Sequence, residues 1–212
     1  MADLDFFFDP VCPFAWVTSR WVTEVSELRG YEVRWRFIAL AVLNEHQQGE
    51  WYTPEYRAGH MAGFKALRVA DQVRLTADNE AVGRLYTALG DAIHVSRAIG
   101  HIRDNPEAMI AAALTEAGLD PSLVAHAGEE SHDAYIRGDT ALALERTGKD
   151  VGTPILTFTP DGPEPHSFFG PVISKAPRGE EALRLWDAVE TLASFTTMSE
   201  LKRSNRAKLD FT

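Results

Sequence analysis

The chain carries one thiol. Cys12 sits in Asp9-Pro10-Val11-Cys12-Pro13-Phe14-Ala15-Trp16, directly after the aromatic run Phe6-Phe7-Phe8. A thiolate is the nucleophilic form of cysteine. It is favoured at a helix N-terminus, where free N–H groups and the helix dipole stabilise negative charge. Pro13 suits the first helical position, where a missing N–H costs nothing. Phe14 and Trp16 add apolar surface for a substrate. These residues point to nucleophilic attack on a disulfide or another electrophile. The competing reading is a buried structural cysteine, the commoner fate of a free thiol. A strand, then Cys-Pro, then a helix favours the nucleophile.

A second element is Gly152-Thr153-Pro154. Proline is awkward at the start of a central strand because it cannot donate to the ladder. One reading is an ordinary trans proline opening an edge strand, which base frequency favours. The other is a cis Thr153–Pro154 bond that exposes the Thr153 backbone for pairing with a substrate. Metal chemistry is not expected. Seven histidines are scattered, no His-Glu-x-x-His pattern occurs, and one cysteine cannot build a cysteine-cluster zinc site. No glycine-rich phosphate loop is present. Trp51, Tyr52 and Phe64 read as aromatic core rather than as a pocket.

The elements that hold these residues follow from periodicity. Residues 3–8 read as a short strand ended by Asp9-Pro10. Val17, Trp21, Val25 and Leu28 recur at helical spacing, and Gly30 closes that helix. Residues 31–38 alternate, with Tyr31, Val33, Trp35 and Phe37 on one face and Glu32, Arg34 and Arg36 on the other. That predicts a half-buried strand and completes a strand–helix–strand unit. From about Pro54 to Gly148 the pattern is helical, with three to five helices. Val82, Leu85, Tyr86, Leu89 and Ile93 form one apolar stripe. Asn105-Pro106 and Asp120-Pro121 are start signals, and a further helix is expected over 129–147. Residues 154–158 and 166–169 predict a hairpin around a turn rich in proline and glycine. A last helix begins near Arg178, with Leu183, Trp186, Val189 and Leu192 on its core side. The tail after Glu200, with Lys202, Arg203, Arg206 and Lys208, is expected to be a solvated end. Cys12 then lies at the carboxyl end of the first strand, where open α/β sheets place their sites.

The chain has 212 residues and a formal net charge of -10, with 45% hydrophobic and 25% charged residues. This is globular composition, long enough for a packed core. The acidic balance disfavours nucleic acid, which needs a basic footprint, and disfavours anionic membranes. The acidic N-terminus does not resemble a secretory signal, and no apolar run is long enough for a membrane span. With one cysteine and no signal, a reducing cytoplasm is the expected location.

Taken together, Asp9 to Trp16 and Val151-Gly152-Thr153-Pro154 resemble the DsbA-like branch of the thioredoxin superfamily. The likeness is greatest to its cytosolic mycothiol-dependent reductases, a group that includes a nitroreductase. Further shared-looking stretches are residues 16–21, 40–45, 85–90, 168–172 and 177–181. The resemblance implies an α/β thioredoxin-like fold with a helical insertion. Residues 1–52 and 149–212 would form the thioredoxin-like domain and residues 53–148 the inserted helical subdomain. It carries Cys12 over as attacking thiol, Pro13, Phe14, Ala15 and Trp16 as its motif, and Thr153 and Pro154 as the facing cis-proline loop. It adds Trp21, Asn44 and His94 as pocket residues. For Asn44 a turn cap, and for His94 a helix-surface position, are equally open. Mycothiol is implied as cosubstrate, with no tightly bound cofactor, a small-molecule or mixed-disulfide substrate, and no nucleic-acid or membrane partner. A homodimer is compatible with this type.

One position departs from the family. The second cysteine, three residues after the first, is here Ala15. A dithiol enzyme resolves its mixed disulfide internally; this chain needs an external thiol. Dithiol oxidase activity is therefore not expected, and monothiol chemistry is. Two alternatives remain open. A kappa-type thiol S-transferase or isomerase would use the small thiol itself as nucleophile. A non-catalytic binding module would keep the fold and lose the chemistry.

Overall fold

The structure is a computed structural model and describes residues 1–211. Its centre is β1 (Leu4–Phe8), buried along its whole length. Successive side chains of a strand point to opposite faces. Leu4, Phe6 and Phe8 accordingly join one hydrophobic cluster and Phe7 another. β2 (Val33–Phe37) pairs parallel with β1, Leu4 opposite Val33 and Phe8 opposite Phe37. β3 (Ile155–Phe158) pairs antiparallel with the other edge of β1, and β4 (His166–Phe169) antiparallel with β3. The sheet order is β2-β1-β3-β4.

A parallel pair needs a crossover, and α1 (Pro13–Arg29) supplies it. Cys12 is its N-cap residue and Pro13 its first residue. Gly30, at φ 69°, ends it in the left-handed conformation that glycine adopts without cost. α1 packs beside the last helix of the fold, Gly179–Ser194, which is numbered α8 below. Trp21 lies against Trp186, and its Nε1 donates to the Ala182 carbonyl at 2.9 Å.

β2 is followed by the single turn α2 (Leu40–Leu43). Then come α3 (Pro54–Thr76), α4 (Asn79–Gly90), a π-helical turn (Asp91–Val95), α5 (Ile99–Asp104) and α6 (Pro106–Glu116). Thr53, Asp78 and Asn105 cap α3, α4 and α6 with side-chain oxygens. The start signal at Asp120-Pro121 opens a 3₁₀ segment, Pro121–Gly128, instead of an α-helix. The helix expected over 129–147 is a 3₁₀ turn, Glu130–His132, followed by α7 (Asp133–Thr147). Val82, Leu85, Tyr86, Leu89 and Ile93 are all buried. Tyr86 stacks on Phe8 with ring centroids 3.9 Å apart, so one core runs from the sheet into these helices.

The second face of the sheet is covered by α7 through Phe7, Ile38, Ala143 and Ile155. This corrects the half-buried reading of β2. The alternation puts Arg34 and Arg36 on the covered face, where they meet buried acids. Asp5 takes Arg34 Nε at 2.5 Å and Arg146 Nη1 at 2.8 Å, and Arg36 pairs with Asp139. At the end of the chain Lys202, Arg203, Arg206 and Lys208 are exposed, as expected. Residues 195–211 form no regular element, yet Leu209 and Phe211 pack against the core, and Asp210 N–H donates to the Ser174 carbonyl at 2.7 Å. Among the described residues, no helix is long and apolar enough to cross a membrane.

Candidate active site

Local chemistry fixes the loop before Cys12. The Cys12 N–H donates to the Asp9 carbonyl at 3.0 Å, and the Val11 N–H to Asp9 Oδ1 at 3.0 Å. Asp9 Oδ2 accepts the Leu40 N–H at 2.8 Å, so one buried carboxylate ties this turn to the start of α2. Gly63 on α3 permits that placement: a Cβ there would lie 2.6 Å from Asp9 Oδ1.

Cys12 Sγ lies between two backbone groups. It accepts the Ala15 N–H at 3.5 Å, and its S–H donates to the Thr153 carbonyl at 3.5 Å. Thr153 Oγ1 in turn donates to the Phe7 carbonyl at 3.3 Å, at the end of β1. The Thr153–Pro154 bond is cis, and so is Gly170–Pro171. The Pro171 carbonyl accepts Thr18 Oγ1 from α1 at 2.8 Å. Thus the first helix and the loop before β3 meet at the sulfur, from segments 141 residues apart.

The electrostatics differ from a simple helix-end thiolate. Only 6% of Cys12 is exposed. Burial pushes its thiol up to about 12, the Asp9 charge adds to the rise, and N–H groups of Ala15 and Phe14 oppose it. Burial disfavours the charged form more strongly than the helix end favours it. In this conformation the thiol is protonated at neutral pH. Asp9 is itself pushed up to about 7 by burial, against its bonds from Leu40 and Val11.

His94 joins this group. It sits in the π-helical turn after α4 and is buried. Its Nε2 lies 2.9 Å from the Pro10 carbonyl, so Nε2 carries the proton and donates. Burial lowers it to about 4, and the ring is neutral at pH 7. It stacks between Trp16 on one side, at 6.1 Å, and Phe211 of the tail, at 5.7 Å. Gly90 allows this, because a Cβ there would lie 2.1 Å from the Trp16 ring. Arg206 of the tail lies over the Phe14 ring at 5.3 Å. The surface-helix reading of His94 therefore fails.

Trp21 lies apart from this group, and Asn44 makes the bond of a turn cap. Trp21 faces α8 and is fully buried, with its one donor spent on Ala182; it is core. Asn44 closes α2 by donating Nδ2 to the Leu40 carbonyl at 2.9 Å, the turn-cap alternative. Four residues stand here that the sequence does not single out as site residues: Asp9, Pro171, Arg206 and Phe211. Asp9 was read only as a turn former, although an Asp-Pro ended by Cys-Pro was a signal. Pro171 lies in the shared-looking stretch 168–172 without an assigned role, and Arg206 in the tail expected to be solvated; long-range packing brings them here with Phe211.

Comparison with known proteins sharpens the assignment. The profile of the Rv2466c-like family, described as mycothiol-dependent nitroreductase Rv2466c, matches residues 11–203. The uncharacterized protein Rv2286c of Mycobacterium tuberculosis is 30% identical over 207 residues, covering 96% of this chain and 82% of its own. A solved structure from Nitrosomonas europaea, described as a candidate protein disulfide isomerase, superposes with a TM-score of 0.58 at 16% identity. It covers 89% of this chain and 97% of its own. That likeness makes the fold thioredoxin-like, of the DsbA type with helices inserted between β2 and β3.

Proposed function

The chain belongs to the Rv2466c-like family of mycothiol-dependent nitroreductases, and from that premise we propose that it is a thiol oxidoreductase that works through Cys12 alone with mycothiol as cosubstrate. The observation that carries this is the position of Cys12 Sγ, held between the Ala15 N–H and the Thr153 carbonyl with alanine at the resolving position. Membership supplies the cosubstrate class. Ala15 removes the internal resolving step.

The cycle has two exchanges. Cys12 loses its proton and attacks the mycothiol sulfur of a mixed disulfide. The old S–S bond breaks, a Cys12–mycothiol disulfide forms, and the substrate leaves as a thiolate that takes up a proton. A second mycothiol, as thiolate, then attacks the mycothiol sulfur held on Cys12. Mycothiol disulfide leaves, and Cys12 is regenerated. The substrate disulfide gains two electrons and mycothiol supplies them. Reduction of nitro compounds, as in the family's name, is a further proposed use of the same thiol chemistry. A reducing cytoplasm is the compartment this cycle requires.

The residues divide the work. The Ala15 and Phe14 N–H groups favour the thiolate once the site opens. The Thr153 carbonyl holds the resting S–H and is free to accept a substrate N–H after the sulfur is used. His94 is neutral and positions the Pro10 turn through its bond to that carbonyl, so it is a positioning residue.

Burial of the thiol favours a second reading. In a thiol S-transferase or isomerase the small thiol is the nucleophile, and a protonated Cys12 would only donate to it. Replacing Cys12 by Ser separates the two. Turnover of a mycothiol mixed disulfide falls at least a thousandfold in Cys12→Ser if Cys12 attacks. Turnover within tenfold of the parent would transfer the case to the second reading.

A further inference from the structure

His126, Glu129 and His132 lie far from Cys12 in sequence and take no part in the cycle above. Glu129 and His132 stand three residues apart, the Glu-x-x-His spacing that carboxylate–histidine metal sites on helices use, and His126 lies three residues before them. The backbone here runs through two 3₁₀ segments, Pro121–Gly128 and Glu130–His132. Glu129 links the two segments in extended conformation, at φ -88° and ψ 114°, and this break brings its carboxylate within reach of both imidazoles.

The three donor atoms converge. His132 Nε2 lies 3.3 Å from His126 Nδ1, His126 Nδ1 lies 3.0 Å from Glu129 Oε2, and His132 Nε2 lies 3.9 Å from Glu129 Oε2. All fall within 4.8 Å of one another. Zinc bound at about 2.0–2.1 Å in a tetrahedron separates its ligands by roughly 3.3 Å, so this triangle has the size of one tetrahedral face.

The site is also built behind its first ligand. His132 is buried, and its Nδ1 lies 2.8 Å from Asp71 Oδ2 on α3. Asp71 Oδ1 is held by Arg74 at 2.8 Å. A carboxylate that accepts a hydrogen bond from Nδ1–H fixes the tautomer in which Nε2 keeps its lone pair, the arrangement that metal-binding histidines require. The loop is pinned on both sides. Arg68 on α3 forms a two-point pair with Asp133 at 2.7 and 2.9 Å and donates to the Ala127 carbonyl at 3.3 Å.

We propose that His126, Glu129 and His132 form a binding site for a divalent transition metal of the Zn²⁺ type, with Asp71 orienting His132 and water in the fourth position. Two imidazoles and one carboxylate suit such a borderline ion better than Ca²⁺ or Mg²⁺, which take oxygen donors. A bound ion cross-links the 3₁₀ segments and, through Asp71, attaches them to α3.

The test uses the full chain, freed of metal by a chelator, and Zn²⁺ alone as the probe. It is run in parallel in Cys12→Ser, so that uptake by the thiol is separated. The site predicts one equivalent of Zn²⁺ taken from a chromophoric chelator, equally in the parent and in Cys12→Ser. Affinity falls at least a hundredfold in His126→Ala, tenfold or more in the exposed Glu129→Gln, and 10- to 100-fold in Asp71→Asn, about the usual effect of removing such a partner. Substituted Co²⁺ gives the visible bands of a tetrahedral site, with no sulfur charge-transfer band. No uptake by the parent, or the same uptake in His126→Ala and Glu129→Gln as in the parent, overturns the proposal.

Discussion

At the scale of single residues, the charge of Asp9 acts on Cys12 in addition to the larger effect of burial. The ionised carboxylate raises the thiol, so Asp9→Asn is expected to lower the thiol pKa and speed alkylation by iodoacetamide at pH 8. An unchanged pH–rate profile would remove Asp9 from the site. Stability gives an independent readout. The folded Asp9 stands at about 7 against an ordinary 3.8, so between these values the folded chain holds a proton that the unfolded chain has lost. That stabilisation is present at low pH and is lost as pH rises through about 7. His94, lowered to about 4, acts in the opposite sense and adds stability as pH rises toward its ordinary 6.5. The difference between Asp9→Asn and the parent isolates the first effect. Urea unfolding should show it shifting in the variant's favour by on the order of 4 kcal/mol between pH 4 and pH 7. The place of Cys12 at the start of α1 was legible from its Cys-Pro context. The burial of its thiol was not, because the sulfur meets the Thr153 carbonyl, from a loop far along the chain.

At the scale of elements, the site depends on two close approaches. Gly90 ends α4 where Trp16 passes, and Gly90→Ala forces the ring and the His94 stack to shift. Overpacking of this kind costs about 1–3 kcal/mol, read as a lower urea midpoint together with altered tryptophan fluorescence. The tail is the second. Arg206 and Phe211 lie on Phe14 and His94, the neighbours of Cys12, while the segment before them is exposed. Deleting residues 205–212 is expected to raise the alkylation rate of Cys12 at least fivefold with a small change in melting temperature. An unchanged rate would show that the tail does not cover the thiol. The strands, α1 and its glycine stop were legible, because each is written in local periodicity and caps. The 3₁₀ course of residues 121–132 was not. Asp-Pro signals a turn start without choosing between three and 3.6 residues per turn, and nothing local marks the break at the extended Glu129 that brings His126 and His132 together.

At the scale of the whole molecule, the sheet is held on one face by aromatic packing and on the other by ions. Asp5 is fully buried on the central strand and is met by Arg34, Arg36 and Arg146. Removing one partner of such a buried group leaves charge without compensation, at a cost of about 3–5 kcal/mol. Asp5→Ala should lose that much in urea unfolding, and a loss under 1 kcal/mol would mean that the arginines find solvent instead. The alternation of β2 revealed Arg34 and Arg36 but not that α7 covers them. Their acid partners Asp5 and Asp139 come from separate segments. The same separation applies to the active centre. The fold joins the Cys12 turn, the Thr153 loop and the His94 turn, and Ala15 leaves that centre with one sulfur.

The central claim is that this sulfur exchanges with a small thiol from outside. The most direct measurement is intact mass after incubation with oxidised mycothiol, followed by peptide mapping. The account predicts a single mycothiol adduct on Cys12, absent from Cys12→Ser and fully removed by reduced mycothiol. No adduct, or one that reduced mycothiol does not release, would contradict it.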